Sequence, residues 1–228
     1  MIRIIRPVEP VVLTNNKKEW TRVYLTAREV YNVTPTPNNK RAKASAESKY
    51  NHISVKEALL MACNSKCVYC ESHITHIAYP HIEHFKPKAK FPKLCFEWKN
   101  LFLGCTICNG PTYKSDKWPT SSKGGPFINP ETENPNTFFN FIFDEKTGVS
   151  LVHPKGKRAR TTEKELGLNR IELLKHRNPV VKKLAYIALQ ASKGDKAALA
   201  ELKFCMEPDQ EYSAFARSFF RKFKLKMK

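Results

Sequence analysis

The chain has 228 residues, enough to bury a core of its own. No stretch approaches the eighteen or more apolar residues of a membrane-spanning helix, and the opening MIRIIRPVEP lacks the apolar run and small-residue cleavage site of a secretory leader, so a cytoplasmic protein is expected. Forty Lys and Arg against 21 Asp and Glu leave a formal charge of +19, which points to a polyanionic partner, nucleic acid, without choosing DNA over RNA.

Residues 1–13 cluster Ile2, Ile4, Ile5, Val8, Val11 and Val12 around Pro7 and Pro10, which predicts a short edge strand or an extended arm. From Glu19 to Tyr31 the apolar residues Trp20, Val23, Tyr24, Ala27, Val30 and Tyr31 recur at helical spacing, and Pro35 and Pro37 are expected to end that helix. The polar, basic stretch 34–49 reads as a mobile loop, a phosphate-touching arm or a plain solvated linker. A second helix is expected from Ser54 to Asn64, with Ser54 as N-cap and Glu57 completing a capping box.

Farther along, the Pro-, Gly-, Ser- and Asn-rich run after Lys117 predicts an irregular excursion. Two strands, Thr137–Phe143 and Gly148–His153, are expected around a turn at 144–148. The pattern is helical from Thr161 onward, with breaks near Gly167, Asn178–Pro179, Gly194–Asp195 and Pro208. At the end, Phe215, Phe219, Phe220 and Phe223 interleave with Arg217, Arg221, Lys222 and Lys224. That pattern suits either a substrate- or partner-guiding tail or a surface helix packed by its aromatic face.

Seven cysteines in a reducing compartment do not read as a disulfide framework. Cys67 and Cys70 form one C-x-x-C pair, and Cys105 and Cys108 form another. Two such knuckles complete a tetrahedral four-thiolate site for structural zinc, with no position left for a catalytic water. Cys63, Cys95 and Cys205 read as small core residues. The 34 residues between the knuckles must hold folded structure, and they contain HIEHFKP at 81–87 and EWKNL at 97–101, with CTICN following at 105–109. A phosphodiester hydrolase needs a carboxylate for a divalent cation, an imidazole to deprotonate water, a group to orient that imidazole, and a further metal ligand. Glu83, His84, Asn100 and Asn109 supply that set.

This order of acid, histidine and two asparagines between C-x-x-C pairs resembles the HNH family of ββα-metal nucleases. The run CVYCESHI…HIEHFKPKAKFPKLCFEWKNLFLGCTICN resembles more closely the nuclease subunit of Septu-type and retron-associated anti-phage systems, as do, more weakly, RPVEP, INPETENP at 128–135 and LGLNR at 166–170.

The resemblance implies an α+β fold: a zinc-stapled ββα-metal (HNH/His-Me finger) core at 65–120, an N-terminal arm and helices at 1–64, and an irregular excursion, short strands and a basic helical region at 121–228. It also implies that Glu83 and Asn109 ligate a catalytic Mg²⁺ or Mn²⁺, that His84 is the general base, and that Asn100 orients it. Where many members have Asp and His, this chain has Glu83 and Asn109, oxygen donors that favour a hard cation. Lys86, Lys114 and Lys117 are candidate phosphate contacts. The family further implies an ATPase partner (PtuA-like) on another chain, consistent with the lack of a P-loop here, and in some systems a retron reverse transcriptase with its RNA–DNA product. The competing reading is a non-catalytic zinc-finger module that binds nucleic acid or bridges partners.

Overall fold

The computed structural model describes residues 1–74 and 81–227, which form a mixed helix-and-sheet architecture. Residues 1–10 run without regular structure, and the helix α1, Val11–Val33, starts directly after Pro10, whose carbonyl accepts from the amides of Leu13 and Thr14. Val11 and Val12 therefore belong to a helix rather than to the expected strand, because the proline supplies an N-terminal stop that the β-branched composition masks. Leu13 and Tyr24 are buried on its inner face, with Trp20, Val23 and Ala27 packed beside them.

The expected loop at 34–49 is instead largely the helix α2, Pro37–Glu47. Thr36 caps it by accepting from Asn39 N at 3.2 Å, Pro37 sits in the first turn, and three alanines follow. Local helix chemistry thus outweighed the polar composition. In α3, Ile53–Cys63, the cap is His52, whose Nδ1 accepts from Ser54 N at 3.3 Å, so the capping box expected at Ser54 does not form.

Strands β1, His81–His84, and β2, Leu101–Gly104, make an antiparallel pair that sets Glu83 opposite Phe102 and His84 opposite Leu101. Two four-residue strands are marginal alone. Here α3 packs on β2, whose side chains are all buried.

The short α4, Pro135–Phe138, leads into β3, Phe139–Asp144, and β4, Val149–Pro154, close to their expected bounds and joined through Gly148 at φ +69°. Four helices follow: α5 Lys157–Glu165, α6 Ile171–Ser192, α7 Lys196–Cys205 and α8 Ser213–Lys222. The break expected at Asn178–Pro179 is absent, and α6 runs through it. Its buried stripe of Leu173, Arg177, Val181, Leu184 and Ala188 stays in phase across Pro179. The Arg177 guanidinium and the Asn178 amide anchor the turn before it to Ser150. Phe215, Phe219 and Phe220 of α8 are buried and Phe215 lies 5.4 Å from Phe141, which favours the core-packed reading of the tail. No helix among the described residues is long and apolar enough to cross a membrane.

Candidate metal centre and active site

The sulfurs of Cys67, Cys70, Cys105 and Cys108 lie within 4.8 Å of one another. A tetrahedron of thiolates about 2.3 Å from one zinc ion has edges of roughly 3.8 Å, so small adjustments close the site. The amide of Cys105 donates to Cys67 Sγ at 3.4 Å and that of Cys108 to Cys105 Sγ at 3.3 Å, the geometry expected of thiolate knuckles. Arg170 adds a charged donor, Nη1 to Cys108 Sγ at 3.4 Å, and its guanidinium also lies over the Tyr113 ring. Hydrogen bonds from the neighbouring thiols hold Cys70 and Cys105 below the ordinary thiol range, while burial raises Cys67 and the hydrogen bond with Cys105 raises Cys108. This donor set fits a structural zinc ion.

Cys63 and Cys95 are buried apart from this cluster, and Cys205 is half-buried at the end of α7. His73 lies between the first knuckle and the body, its amide donating to Glu211 at 2.7 Å. His76 lies outside the described residues, and His81 is exposed.

Glu83 and His84 are consecutive residues of β1, so their side chains leave on opposite faces. The Glu83 carboxylate is buried, and its Oε1 takes a hydrogen bond from Tyr69 at 3.2 Å and an ion pair from Lys114. Burial raises the Glu83 pKa, and the Lys114 ammonium opposes that shift. The ammonium also donates to the backbone carbonyl of His84 at 2.8 Å, and the whole Lys114 side chain is inaccessible. Gly104 makes room on this face. A Cβ there would sit 3.2 Å from Glu83 Cβ and 3.8 Å from Asn109 Cβ, so Glu83 and Asn109 flank the same glycine.

On the other face His84 is 6% exposed. Its Nε2 lies 2.9 Å from the carbonyl of Cys95, an oxygen that can only accept, so Nε2 carries the proton and Nδ1 holds the free lone pair. Tyr50 meets the ring edge-on at 4.6 Å between centroids. Burial, reinforced by the Lys88 charge, lowers the imidazole pKa to about 3. Lys88 is held in turn by the Tyr50 hydroxyl and by Glu47 at the end of α2, each at 2.8 Å.

Asn100 does not bond to the imidazole. Its Oδ1 accepts from Lys86 N at 2.8 Å, and its Nδ2 donates to the carbonyls of Lys86 and Leu94. It ties Lys86 to Leu94, the residue before the carbonyl that His84 bonds.

The structure thus brings Glu83, Asn109 and Lys114 to one face of the β1–β2 pair and places His84 on the other. Among the described residues no helix follows β2 at 105–117, where the α element of a ββα unit is expected. Hydrogen-bonded turns occupy 105–117, where Pro111 supplies no amide and Ser115 adopts φ +41°. The role of phosphate contact is withdrawn from Lys114, because it is buried against Glu83. Lys117 pairs with Glu165 at 2.7 Å, and the half-buried Lys86 lies near the faces of Phe91 and Trp118. Sequence reasoning missed Tyr69, hidden inside the first C-x-x-C pair, along with Tyr50, Lys88 and the Cys95 carbonyl. The order of residues carries no signal for a backbone oxygen.

The donor set at Glu83 does not fit a divalent cation in this arrangement. The single carboxylate is already neutralised by an ammonium, and the imidazole expected to share a water with the ion lies on the opposite face.

No family model matches the chain. It is similar to a Septu protein PtuB of Bacillus thuringiensis, 31% identical over 180 residues that make up 76% of this chain and 57% of that relative. It is also similar to a Septu protein PtuB of Bacillus mycoides strain KBAB4, 26% identical over 92% of this chain and 77% of the relative. The chain therefore spans a little over half the length of the first relative.

Proposed function

We propose, from the premise that this chain belongs to the Septu PtuB proteins, that it is the nuclease subunit of an anti-phage defence complex, hydrolysing phosphodiester bonds in DNA or RNA. The observation that supports catalysis is the geometry at His84: its Nε2–H is fixed on the Cys95 carbonyl, which leaves the lone pair of a base on Nδ1. In that role Nδ1 takes a proton from the attacking water, while the Cys95 carbonyl holds the ring in one tautomer and stabilises the imidazolium that forms. Asn100 fixes the loop that carries this carbonyl. The core expected at 65–120 is the segment that the four-cysteine site staples, with zinc as its structural metal. An ATPase chain of the PtuA type is the partner this assignment calls for, joined in retron-associated systems by a reverse transcriptase with its RNA–DNA product. The +19 charge supports a nucleic-acid substrate.

A second reading is favoured by two specific observations: Glu83 is neutralised by Lys114, and His84 is almost wholly buried. In it the chain is a non-catalytic zinc module that binds nucleic acid or bridges partners.

The deciding experiment compares wild type and His84→Ala for nicking of plasmid DNA and of total tRNA, with Mg²⁺ or Mn²⁺ and the partner ATPase present. Loss of cleavage in a variant that still carries one zinc per chain supports the nuclease. Identical behaviour of the two proteins establishes the binding module.

A further inference from the structure

The Lys114 ammonium sits where the family pattern would seat a metal ion. It is wholly buried, it bonds the Glu83 carboxylate and the His84 carbonyl together, and it lies on the face where Glu83 and Asn109 flank Gly104. Nothing in its surroundings marks it as a surface cation that strayed inward. Its backbone amide bonds to the carbonyl of Cys108, so the second zinc knuckle fixes where the side chain starts. Tyr69, inside the first knuckle, supplies the other donor to the same carboxylate oxygen. Both halves of the staple therefore hold one carboxylate against one ammonium.

We propose that Lys114 is the resident cation of the Glu83 seat and keeps a divalent ion out of it. A dication entering there would meet a carboxylate whose charge is already matched, and a buried ammonium it would have to displace or lie beside without solvent screening. Glu83 then acts as an anchor that joins β1 to the zinc knuckles. The proposal takes from the nuclease reading only the reason to look for an ion at Glu83, and its test reads ion binding, not turnover.

The test is Mn²⁺ titration, followed by electron paramagnetic resonance, of the zinc-loaded full chain at pH 8 for wild type, Glu83→Gln, Lys114→Met and the double variant Glu83→Gln/Lys114→Met. Wild type is expected to show no Mn²⁺ binding that depends on Glu83. Lys114→Met is expected to bind at least about tenfold more tightly than wild type, and the double variant to lose that gain. Wild-type binding that disappears in Glu83→Gln, or no gain in a folded Lys114→Met, overturns the proposal.

If Lys114→Met does not fold, amine labelling of wild type with mass-spectrometric readout decides instead. Lys114 is expected to stay protected at millimolar Mn²⁺, and protection lost on adding Mn²⁺ overturns the inference. The nuclease reading fails separately, on identical cleavage by wild type and His84→Ala.

Discussion

Lowering the pH from 7 to 5 separates His84 from an ordinary histidine. A free imidazole with pKa near 6.5 is about 97% protonated at pH 5. His84, with its pKa lowered to about 3 by burial and by the Lys88 charge, stays about 99% neutral there. The stability consequence has a definite sign. The native pKa lies below the unfolded one, so below pH 6.5 the unfolded chain takes up a proton that the folded chain refuses. Stability then falls with pH until the native pKa is reached, at roughly 1.4 kcal/mol per unit, or about 2 kcal/mol between pH 6.5 and 5. Glu83 has the opposite sign, because its raised pKa lets the folded state gain a proton first as pH falls. The variant His84→Gln isolates the histidine contribution. Urea unfolding of both proteins at pH 7 and pH 5 is expected to show a loss about 2 kcal/mol smaller in His84→Gln. Nitrogen-15 spectra of the wild-type ring should show Nε2 protonated and Nδ1 bare throughout. Equal pH slopes for the two proteins, or a ring titration between pH 6 and 7, would refute the burial argument, and a protonated Nδ1 beside a bare Nε2 would refute the assignment of a free lone pair to Nδ1.

Other outcomes follow from the same contacts. Chelating the zinc, or replacing Cys108 by Ser, removes a ligand from a site that holds a marginal hairpin, and a fall in thermal midpoint together with loss of one zinc per chain by metal analysis is expected. Arg170→Ala removes the charged donor to Cys108 Sγ, so zinc should pass to a competing chelator several-fold faster while the fold, judged by circular dichroism, remains. Asn100→Ala strands the Lys86 amide and two loop carbonyls and should cost about 1–3 kcal/mol in urea unfolding. If it acts through the loop, cleavage should fall more than that loss of stability explains.

The four-cysteine cluster was legible because two C-x-x-C pairs are a local pattern whose chemistry fixes their meeting, wherever the intervening chain goes. The hairpin at 139–154 was legible too, since alternation and a glycine turn are likewise local. Where the sequence misled, a second local signal or a distant partner decided. Thr36 and Pro37 turned a basic stretch into α2, and Ser150 and Leu168 anchored α6 beside Pro179. INPETENP and LGLNR had no readable chemistry, yet both make structural ties. Glu133 forks onto Arg158, and the Asn169 side chain bonds both the amide and the carbonyl of Val152. Lys114 was read as a surface cation because lysine is seldom buried, and nothing near it in sequence announces that its counter-ion is Glu83.

The least legible feature, the opposition of Glu83 and His84 across β1, bears most on function. Adjacent letters in a motif suggest adjacent groups in a site, but a strand sends them to opposite faces. Each face has its own support: Tyr69, Lys114 and the knuckles behind Glu83, and the Cys95 carbonyl, Tyr50 and Lys88 behind His84. The first group joins the strand to the four-cysteine site, and the second surrounds a neutral imidazole, with Lys88 held by Glu47 of α2. A hairpin of two four-residue strands needs both, so loss of activity on substituting Glu83 does not by itself identify a metal ligand. Only ion binding, measured apart from turnover and apart from folding, distinguishes a carboxylate that holds a cation for chemistry from one that holds β1 in place for His84.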